Sequence, residues 1–195
     1  MFSPENPEIT AIAAHSENRV IGKNGTIPWH VKGDLKFWRD MSRGKPVIMG
    51  RKTFLDMPPG FRRRPHIIVV TRDTGFEYDG VTITHSLDDA LERARKICKT
   101  EKIDKIVIGG GGEIYAQALH CLDSIYQTII HCTVKDGDAF FPKINFDDWK
   151  LDGAPQEFEP EEGDTAGYTI NHYRRQDKAG ADLITKCSSP PCYGG

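Results

Sequence analysis

The sequence predicts an α/β fold with a mostly parallel central sheet, helices on both faces and an antiparallel C-terminal edge hairpin. Short apolar runs of strand length alternate with helix-like segments, and this alternation implies crossover connections between parallel strands. Two of the runs end in glycine turns that lead into helices. The last two strand-like segments alternate apolar and polar residues, which is typical of an antiparallel pair at a sheet edge.

Each element is predicted by a local pattern. Short runs rich in β-branched residues predict strands, and apolar side chains at a spacing of three to four residues predict amphipathic helices. In chain order, strands are expected at 9–14, 46–49, 66–71, 81–84, 106–108, 124–134 and 168–174. Helices are expected at 34–44, from residue 86 onward, and at 113–122. The second of these has the most specific signal, because Ser86 and Asp89 form a capping box ahead of an apolar stripe.

Length and charge restrict the classes of function. The 195 residues suit one domain, which we expect over 1–175, and the unpatterned stretch 176–195 is expected to be a flexible tail. A formal net charge of -2 argues against a nucleic-acid partner. No apolar run approaches the roughly 20 residues that span a bilayer, and no signal-peptide pattern is visible. We therefore expect a cytoplasmic protein that does not bind membranes.

The cysteine and histidine patterns predict neither a disulfide framework nor a metal site. Five cysteines without a C-x-x-C pair are typical of reduced thiols. The seven histidines are scattered without the spacing of a metal-binding motif.

Two glycine turns at the ends of predicted strands could bind phosphate. Gly109–Gly112 opens the helix at 113–122, and Gly50–Thr53 combines a glycine, two cations and a hydroxyl. Neither turn matches G-x-G-x-x-G or a P-loop, so each alone is equally compatible with an ordinary structural turn. Together in one sheet they favour a dinucleotide. Arg72, after the third strand, could pair with a ribose 2′-phosphate, although Asp73 beside it weakens that inference.

Two charged residues have a structural and a functional interpretation. Asp34 begins a helix whose next residues are apolar or aromatic, so it is either a helix cap or dipole partner or a buried carboxylate that anchors a polar ring. Arg64 is either solvated surface or the group that binds a substrate carboxylate.

Taken together, these motifs resemble the dihydrofolate reductases of the bacterial type. They occur in family order from about residue 9 to 175. The matching segments are Ile9–Ala14, Arg19–Gly22, Ile27–Trp29, Asp34–Leu35, Pro46–Thr53, Val107–Gly111 and Phe141–Pro142.

The resemblance implies NADPH-dependent reduction of 7,8-dihydrofolate to tetrahydrofolate, with hydride transfer to C6 and protonation at N5. Asp34 matches the acid that binds the pterin, Trp29 the residue that orders a water near it, and Ile27 the loop that closes over the nicotinamide. Whether the acid donates its proton directly or through water stays open. The resemblance also implies antifolate inhibitors as ligands and a monomeric protein.

The resemblance implies further binding residues. Positions that match the substrate site are Ile12, Ala13, Asp34, Leu35, Trp38, Met57, Phe61, Arg64, Ile108 and Thr128. Positions that match the NADPH site are Ala14, Ile21, Gly50, Arg51, Lys52, Thr53, Thr71, Arg72, Gly109, Gly110, Gly111, Gly112, Glu113, Ile114 and Tyr115. Arg64 matches the arginine that binds the glutamate α-carboxylate, and Thr128 matches the hydroxyl that supports the acid.

The sequence departs from the family at three places, one of which is the stretch between Arg64 and Thr71, longer by one residue. Trp38 stands where the family usually has Phe, which should narrow the slot beside the substrate ring. Four glycines stand where the family has three, so the fourth is interpreted as an insertion, and which Gly-Gly bond is the family's cis bond stays open.

Two other functions are compatible with parts of the sequence. A related reductase on the same fold, such as that of riboflavin biosynthesis, would keep the NADPH turns but would not need Asp34 with Trp29. A non-catalytic nucleotide-binding module would bind NADPH without turning over dihydrofolate.

Overall fold

The computed structural model describes residues 1–176. Its strands are β1 (Glu8–Ser16), β2 (Val20–Gly22), β3 (Val47–Gly50), β4 (Ile67–Val70), β5 (Thr82–Thr84), β6 (Lys105–Ile108), β7 (Ser124–Ile130), β8 (Ala139–Phe140), β9 (Trp149–Leu151), β10 (Gln156–Phe158) and β11 (Tyr168–Arg175). Its α-helices are α1 (Lys32–Ser42), α2 (Arg51–Asp56), α3 (Pro59–Arg62), α4 (Leu87–Glu101) and α5 (Gly112–Ala118).

The main sheet has the strand order β10-β11-β7-β1-β6-β3-β4-β5, with β9 also paired to β11. The strands from β7 to β5 in this order all pair in parallel. The antiparallel partners are β11 against β7, and β9 and β10 against β11. The predicted fold class is therefore confirmed, with the refinement that β7 belongs to the parallel block and a long segment separates it from β11.

The two faces of the sheet bury different clusters of apolar side chains. Neighbouring residues of each strand point to opposite faces. On one face, Ile48 and Ile106 pack with α4 and α5. On the other face, Val47 and Val107 pack with the aromatic side chains of α1, α2 and α3. The helices thus cover both faces, as the sequence predicts.

Helix α4 begins as its capping box predicts. The backbone N–H of Asp89 donates to Ser86 Oγ at 3.1 Å, and Ser86 Oγ donates to Asp89 Oδ2 at 2.8 Å. The apolar stripe that follows is buried against the sheet.

Several short elements lie outside the sequence predictions. Strands β2 and β8 form a separate two-stranded sheet, and α3 is a single turn. Strand β10 is exposed along its whole length. These segments are too short, or too exposed, to show an alternating apolar pattern. Strands β2 and β8 form through hydrogen bonds between segments that are distant in the sequence.

The last described residue, Gln176, is hydrogen-bonded to the rest of the domain. Gln176, the first residue of the predicted tail, donates its backbone N–H to the carbonyl of Asp148 at 2.9 Å. The rest of that tail, 177–195, lies outside the described residues. Within residues 1–176, no helix is both long enough and apolar enough to cross a membrane.

Candidate functional site

The candidate site lies where several parallel strands end. The carboxyl ends of β1, β3, β4 and β6 meet at one edge of the sheet, and ligands of open α/β sheets bind at that edge. Asp34 lies on α1, near the end of β1, because its partner Thr128 on β7 is in register with Ala14. This edge brings together most residues predicted for the substrate and the dinucleotide.

Asp34 lies in the first turn of α1 and does not cap the helix. The N-cap is Val31, which makes no side-chain capping bond. The capping interpretation of Asp34 is therefore wrong, while its position in the first turn still favours interaction with the helix dipole. Its side chain is directed into the protein, and the residue is 8% exposed.

Burial raises the pKa of Asp34 to about 6 from 3.8, and a hydrogen bond with Thr128 opposes that rise. No other group within residues 1–176 lowers this pKa. A carboxyl group that is buried without a nearby cation has a pKa closer to neutral pH, and such groups concentrate at functional sites.

Tyr168 lies beside this acid and was not predicted as a site residue. A Cβ on Gly33 would lie 2.1 Å from the Tyr168 hydroxyl oxygen, so only glycine lets α1 begin this close to β11. Burial and then the charge of Asp34 raise the pKa of Tyr168. No local pattern marks Tyr168, because strand pairing alone brings residue 168 to residue 33.

An aromatic wall extends from Asp34 along the same face of the sheet. The rings of Trp38 and Phe61 lie 4.7 Å apart between centroids, and they pack in one cluster with Ile12 and Met57. These four predicted substrate residues therefore meet in the structure.

Arg64 continues the wall away from Asp34. Its guanidinium lies 4.5 Å from the centroid of the Phe61 ring and donates to Ser42 Oγ at 3.1 Å. It borders a cleft of about 310 Å³ that Arg43 and Lys45 also line. Burial, followed by the charges of Arg43 and Arg39, lowers the pKa of Arg64. This cationic end of the wall suits an anion.

The remaining predicted residues near Asp34 differ in exposure. Ile27 and Leu35 are 45% and 50% exposed, which is high for large apolar side chains. Trp29 is half-buried in a small cluster with Val31 and Tyr168.

Two predicted substrate residues are not brought to this face. Ala13 and Ile108 are fully buried in the cluster beneath α4 and α5, on the opposite face of the sheet. The prediction that the Ile108 side chain lines the slot does not fit this placement. The next residue, Gly109, faces the slot instead, because an added Cβ there would lie 3.4 Å from Trp38 Cζ2.

The two glycine turns contact one another at the sheet edge. The backbone N–H of Gly50 donates to the carbonyl of Gly110 at 2.7 Å, which places the starts of α2 and α5 side by side. The cis peptide bond, left open by the sequence, joins Gly110 and Gly111. A Cβ on Gly111 would lie 3.0 Å from Thr53 Oγ1. The turns predicted to bind phosphate therefore form one surface.

Acidic side chains form ion pairs with two of the predicted cations at this surface. Arg51 forms an ion pair with Asp73, and Arg72 forms one with Glu113 at 3.3 Å. The Arg72 pair is largely exposed, so solvent screens it strongly. Arg51 and Arg72 are thus present at this surface, but both start from an ion pair that an anionic ligand must replace.

The other predicted dinucleotide residues border or support this surface. Thr71 is buried directly after β4, and its Oγ1 accepts the backbone N–H of Asp73 at 3.1 Å. Tyr115 is buried, and its hydroxyl donates to the carbonyl of Ile12 at 2.7 Å. Lys52 is exposed; Ala14 and Ile21 are half-buried; Ile114 is buried.

Comparisons with known proteins agree with this geometry. A family model described as dihydrofolate reductase matches residues 8–175. The dihydrofolate reductase of Haemophilus influenzae is 40% identical over 141 residues, which cover 72% of this chain and 82% of that protein. That of Staphylococcus haemolyticus is 37% identical over 143 residues, or 73% of this chain and 81% of that protein. The structure of dihydrofolate reductase from Enterococcus faecalis complexed with NADP(H) and RAB-propyl is similar with a TM-score of 0.77 and 32% identity, covering 91% of this chain and 100% of that one.

Proposed function

We propose that Asp34 is the residue of this chain that binds the pterin and promotes its protonation. The chain belongs to the dihydrofolate reductase family and reduces 7,8-dihydrofolate to tetrahydrofolate with NADPH. A hydride is added at C6 and a proton at N5. The observation that supports the role of Asp34 is that, among the described residues, it and Glu8 are the two buried carboxylates. Glu8 begins β1, about 20 Å along the strand from Ala14, so it is too far from the site to take part.

The environment of Asp34 suits two tasks. Its ionised carboxylate can accept hydrogen bonds from the amino and N3 groups of a pterin, since Thr128 is its one hydrogen-bonding partner that affects the pKa. Its pKa of about 6 also keeps a larger protonated fraction near neutral pH than an ordinary aspartate has. Asp34 therefore anchors the ring and promotes protonation at N5.

Trp29 and Ile27 assist from the loop before α1. The assigned role of Trp29, which is half-buried beside Val31, is to order a water molecule near the acid. The exposed side chain of Ile27 is available to close over the nicotinamide and exclude bulk water from the reacting atoms.

The aromatic wall and its cationic end account for substrate binding. Ile12, Trp38 and Phe61 supply the apolar surface against which the pterin and the adjoining ring pack. Leu35 and Met57 border the same slot. Arg64 binds the α-carboxylate of the glutamate, in agreement with the cations that surround it.

The residues at the glycine turns fit NADPH, which supplies the hydride when bound. The turn Gly110–Gly112 has no side chains to obstruct a diphosphate, and Arg51 and Thr53 lie beside it. Arg72 exchanges Glu113 for the 2′-phosphate, and this exchange favours NADPH over NADH.

The experiment that tests this function follows the loss of NADPH absorbance when dihydrofolate is added to the purified protein. We expect rapid turnover with NADPH, slower turnover with NADH, and little turnover by an Asp34→Asn variant that still binds NADPH. Wild-type rates in Asp34→Asn would contradict the role of Asp34. NADPH binding without any turnover by the wild type would favour a non-catalytic module.

A second experiment tests Arg72 separately. Arg72→Ala should raise KM for NADPH by about tenfold while KM for NADH changes little, because only NADPH carries the 2′-phosphate. Lys99→Ala, an exposed cation in the last turn of α4, is the matched control and should change neither constant. Equal effects of Arg72→Ala on both cofactors would exclude the proposed contact.

Antifolate inhibitors are proposed to compete with dihydrofolate for the slot beside Asp34. We further propose a cytoplasmic, monomeric protein, in keeping with the free and buried thiol of Cys98. Light scattering in solution, at several protein concentrations, gives the mass that tests the monomer.

A further inference from the structure

We propose that Trp38 and Gly109 form a complementary pair that determines which ring systems fit the slot beside Asp34. The large side chain of Trp38 packs where Gly109 has none. The inference rests on the proposed function, since it assigns the wall of that same slot. Neither residue needs to react for the pair to set specificity.

Gly109 directly follows β6 and continues its hydrogen bonding to β3 before the turn begins. Its backbone N–H donates to the carbonyl of Ile48 at 2.8 Å and so extends the β3–β6 ladder by one residue past Ile108. Three glycines, Gly110–Gly112, remain for the turn, with the cis bond between the first two. The additional glycine is therefore not an insertion in the turn. It directly follows β6, at a position where a side chain would face the slot.

The space at Gly109 is already filled by its neighbours. A Cβ there would lie 3.1 Å from Val47 Cγ1, 3.3 Å from Met49 Cε and 3.4 Å from Trp38 Cζ2. These distances are shorter than, or at the lower limit of, ordinary contacts, so any side chain at 109 must displace the indole or its neighbours. The indole can occupy its place because residue 109 has no side chain.

Trp38 is fixed from its other side and lies next to the acid. Its ring packs on Phe61 at 4.7 Å between centroids, with 56° between the planes. Asp34 and Trp38 are four residues apart on α1, so they lie on the same face of the helix. Because Trp38 is only half-buried, part of the indole stays available to a ring bound at Asp34.

The two positions should consequently depend on each other. Trp38→Phe alone leaves a gap beside Gly109. Gly109→Ala alone crowds Val47 and Met49 and places its methyl group directly against the indole. In the double variant the smaller ring makes room for the methyl group, although Val47 still restricts it. The defects should therefore partly cancel.

A double-mutant cycle tests the pair in the NADPH-dependent assay. We expect each single variant to raise KM for dihydrofolate by about threefold to tenfold, the effect of one lost or distorted aromatic contact, with a smaller change in kcat. In the double variant, KM should be at least threefold below the product of the two single effects. NADPH affinity should be unchanged in Trp38→Phe, and urea unfolding shows whether all the variants fold.

Specificity is measured with two inhibitors, a bicyclic diaminopteridine and a single-ring diaminopyrimidine. Trp38→Phe should change the ratio of their inhibition constants by at least threefold, because the indole borders the space in which they differ. Gly60→Ala is the matched control, since a Cβ at Gly60 meets no atom within 4 Å. It should leave KM and the ratio unchanged.

The outcomes separate the pair from the underlying function. Multiplicative effects on KM, or an unchanged inhibitor ratio, would overturn the pair while wild-type turnover stands. Absence of wild-type turnover would instead overturn the proposed function, and with it this assignment of the slot.

Discussion

Glu8 and Asp34 are buried to nearly the same degree, 5% and 8% exposed, at opposite ends of the parallel sheet. Strand β7 supplies a hydroxyl group to each: Ser124 donates to Glu8, and Thr128 bonds to Asp34. Since Ser124 and Thr128 are an even number of residues apart, both hydroxyls face the same side of the sheet.

The two carboxylates nevertheless have opposite pKa shifts. Burial favours the protonated form of Glu8, but hydrogen bonds from Ser124 and Lys105 and the charges of Lys105 and Arg174 more than offset it and lower its pKa. Lys105 Nζ lies 3.0 Å from Glu8 Oε2. Asp34 lacks such a cation, and its pKa rises to about 6. Burial therefore raises the pKa of a carboxyl group only where no nearby cation compensates for it.

The largest expected difference between the two residues is in turnover. Asp34→Asn should lower the rate at pH 7.5 by about 100-fold or more, because the proposed promotion of N5 protonation and the proposed anchor for the ring are both lost. The rate should recover toward pH 5, where more of the substrate arrives already protonated. Glu8→Gln should stay within about threefold of the wild type at every pH at which it is folded. A comparable loss of turnover in Glu8→Gln would contradict the proposed difference between the two carboxylates.

The second difference is in stability. Glu8→Gln leaves the half-buried Lys105 without its anionic partner, so the free energy of unfolding should fall by about 2 kcal/mol. The folded-state pKa of Glu8 is lowered, so its contribution is present above its ordinary value of 4.5 and is lost as the pH falls through the folded pKa. Urea unfolding at pH 7.5 and pH 4 should show the gap between wild type and variant shrinking at the lower pH.

Asp34→Asn should have the opposite effect on stability. The folded pKa of Asp34 is raised, so its stabilising contribution is complete below 3.8 and is lost as the pH rises through about 6. Above that pH the wild type keeps a buried charge that the variant lacks. The variant should be more stable by about 2 kcal/mol at pH 8, and the gain should vanish near pH 4. A destabilised variant at pH 8 would mean that the charge is compensated in solution.

The smallest expected effect concerns the hydroxyl groups of β7. Thr128→Val removes the one hydrogen bond that lowers the pKa of Asp34, so this pKa should move further above 6, by up to about one unit. The pH–rate profile for kcat/KM should shift to higher pH by the same amount. Ser124→Ala, the corresponding change beside Glu8, should destabilise the protein without moving the profile. A shift in both variants would show that the profile reports on stability.

Much of the fold and part of the site follow from local patterns. The capping box of α4, the β-branched runs of the parallel strands and the glycine turns each depend on residues close together in the chain, and the structure has them where they were predicted. Glu8 gave no such signal, because a single acid before a strand does not indicate that Lys105 and Ser124 will enclose it. The short pair β2 and β8 was likewise not predicted, since pairing between distant segments defines it.

The fold class, the family and the position of Asp34 at the start of a helix follow from the sequence, because periodicity and motif spacing are local properties of the chain. That Gly109, and not Ile108, faces the slot is visible only in the folded protein, as are the raised pKa of Asp34 and the lowered pKa of Glu8. The physical reason is that strand register fixes which side chain points to which face, and a pKa depends on the charges and hydrogen bonds that register brings near. Those neighbours come from β7, β6 and β11, which are distant from both carboxylates in sequence.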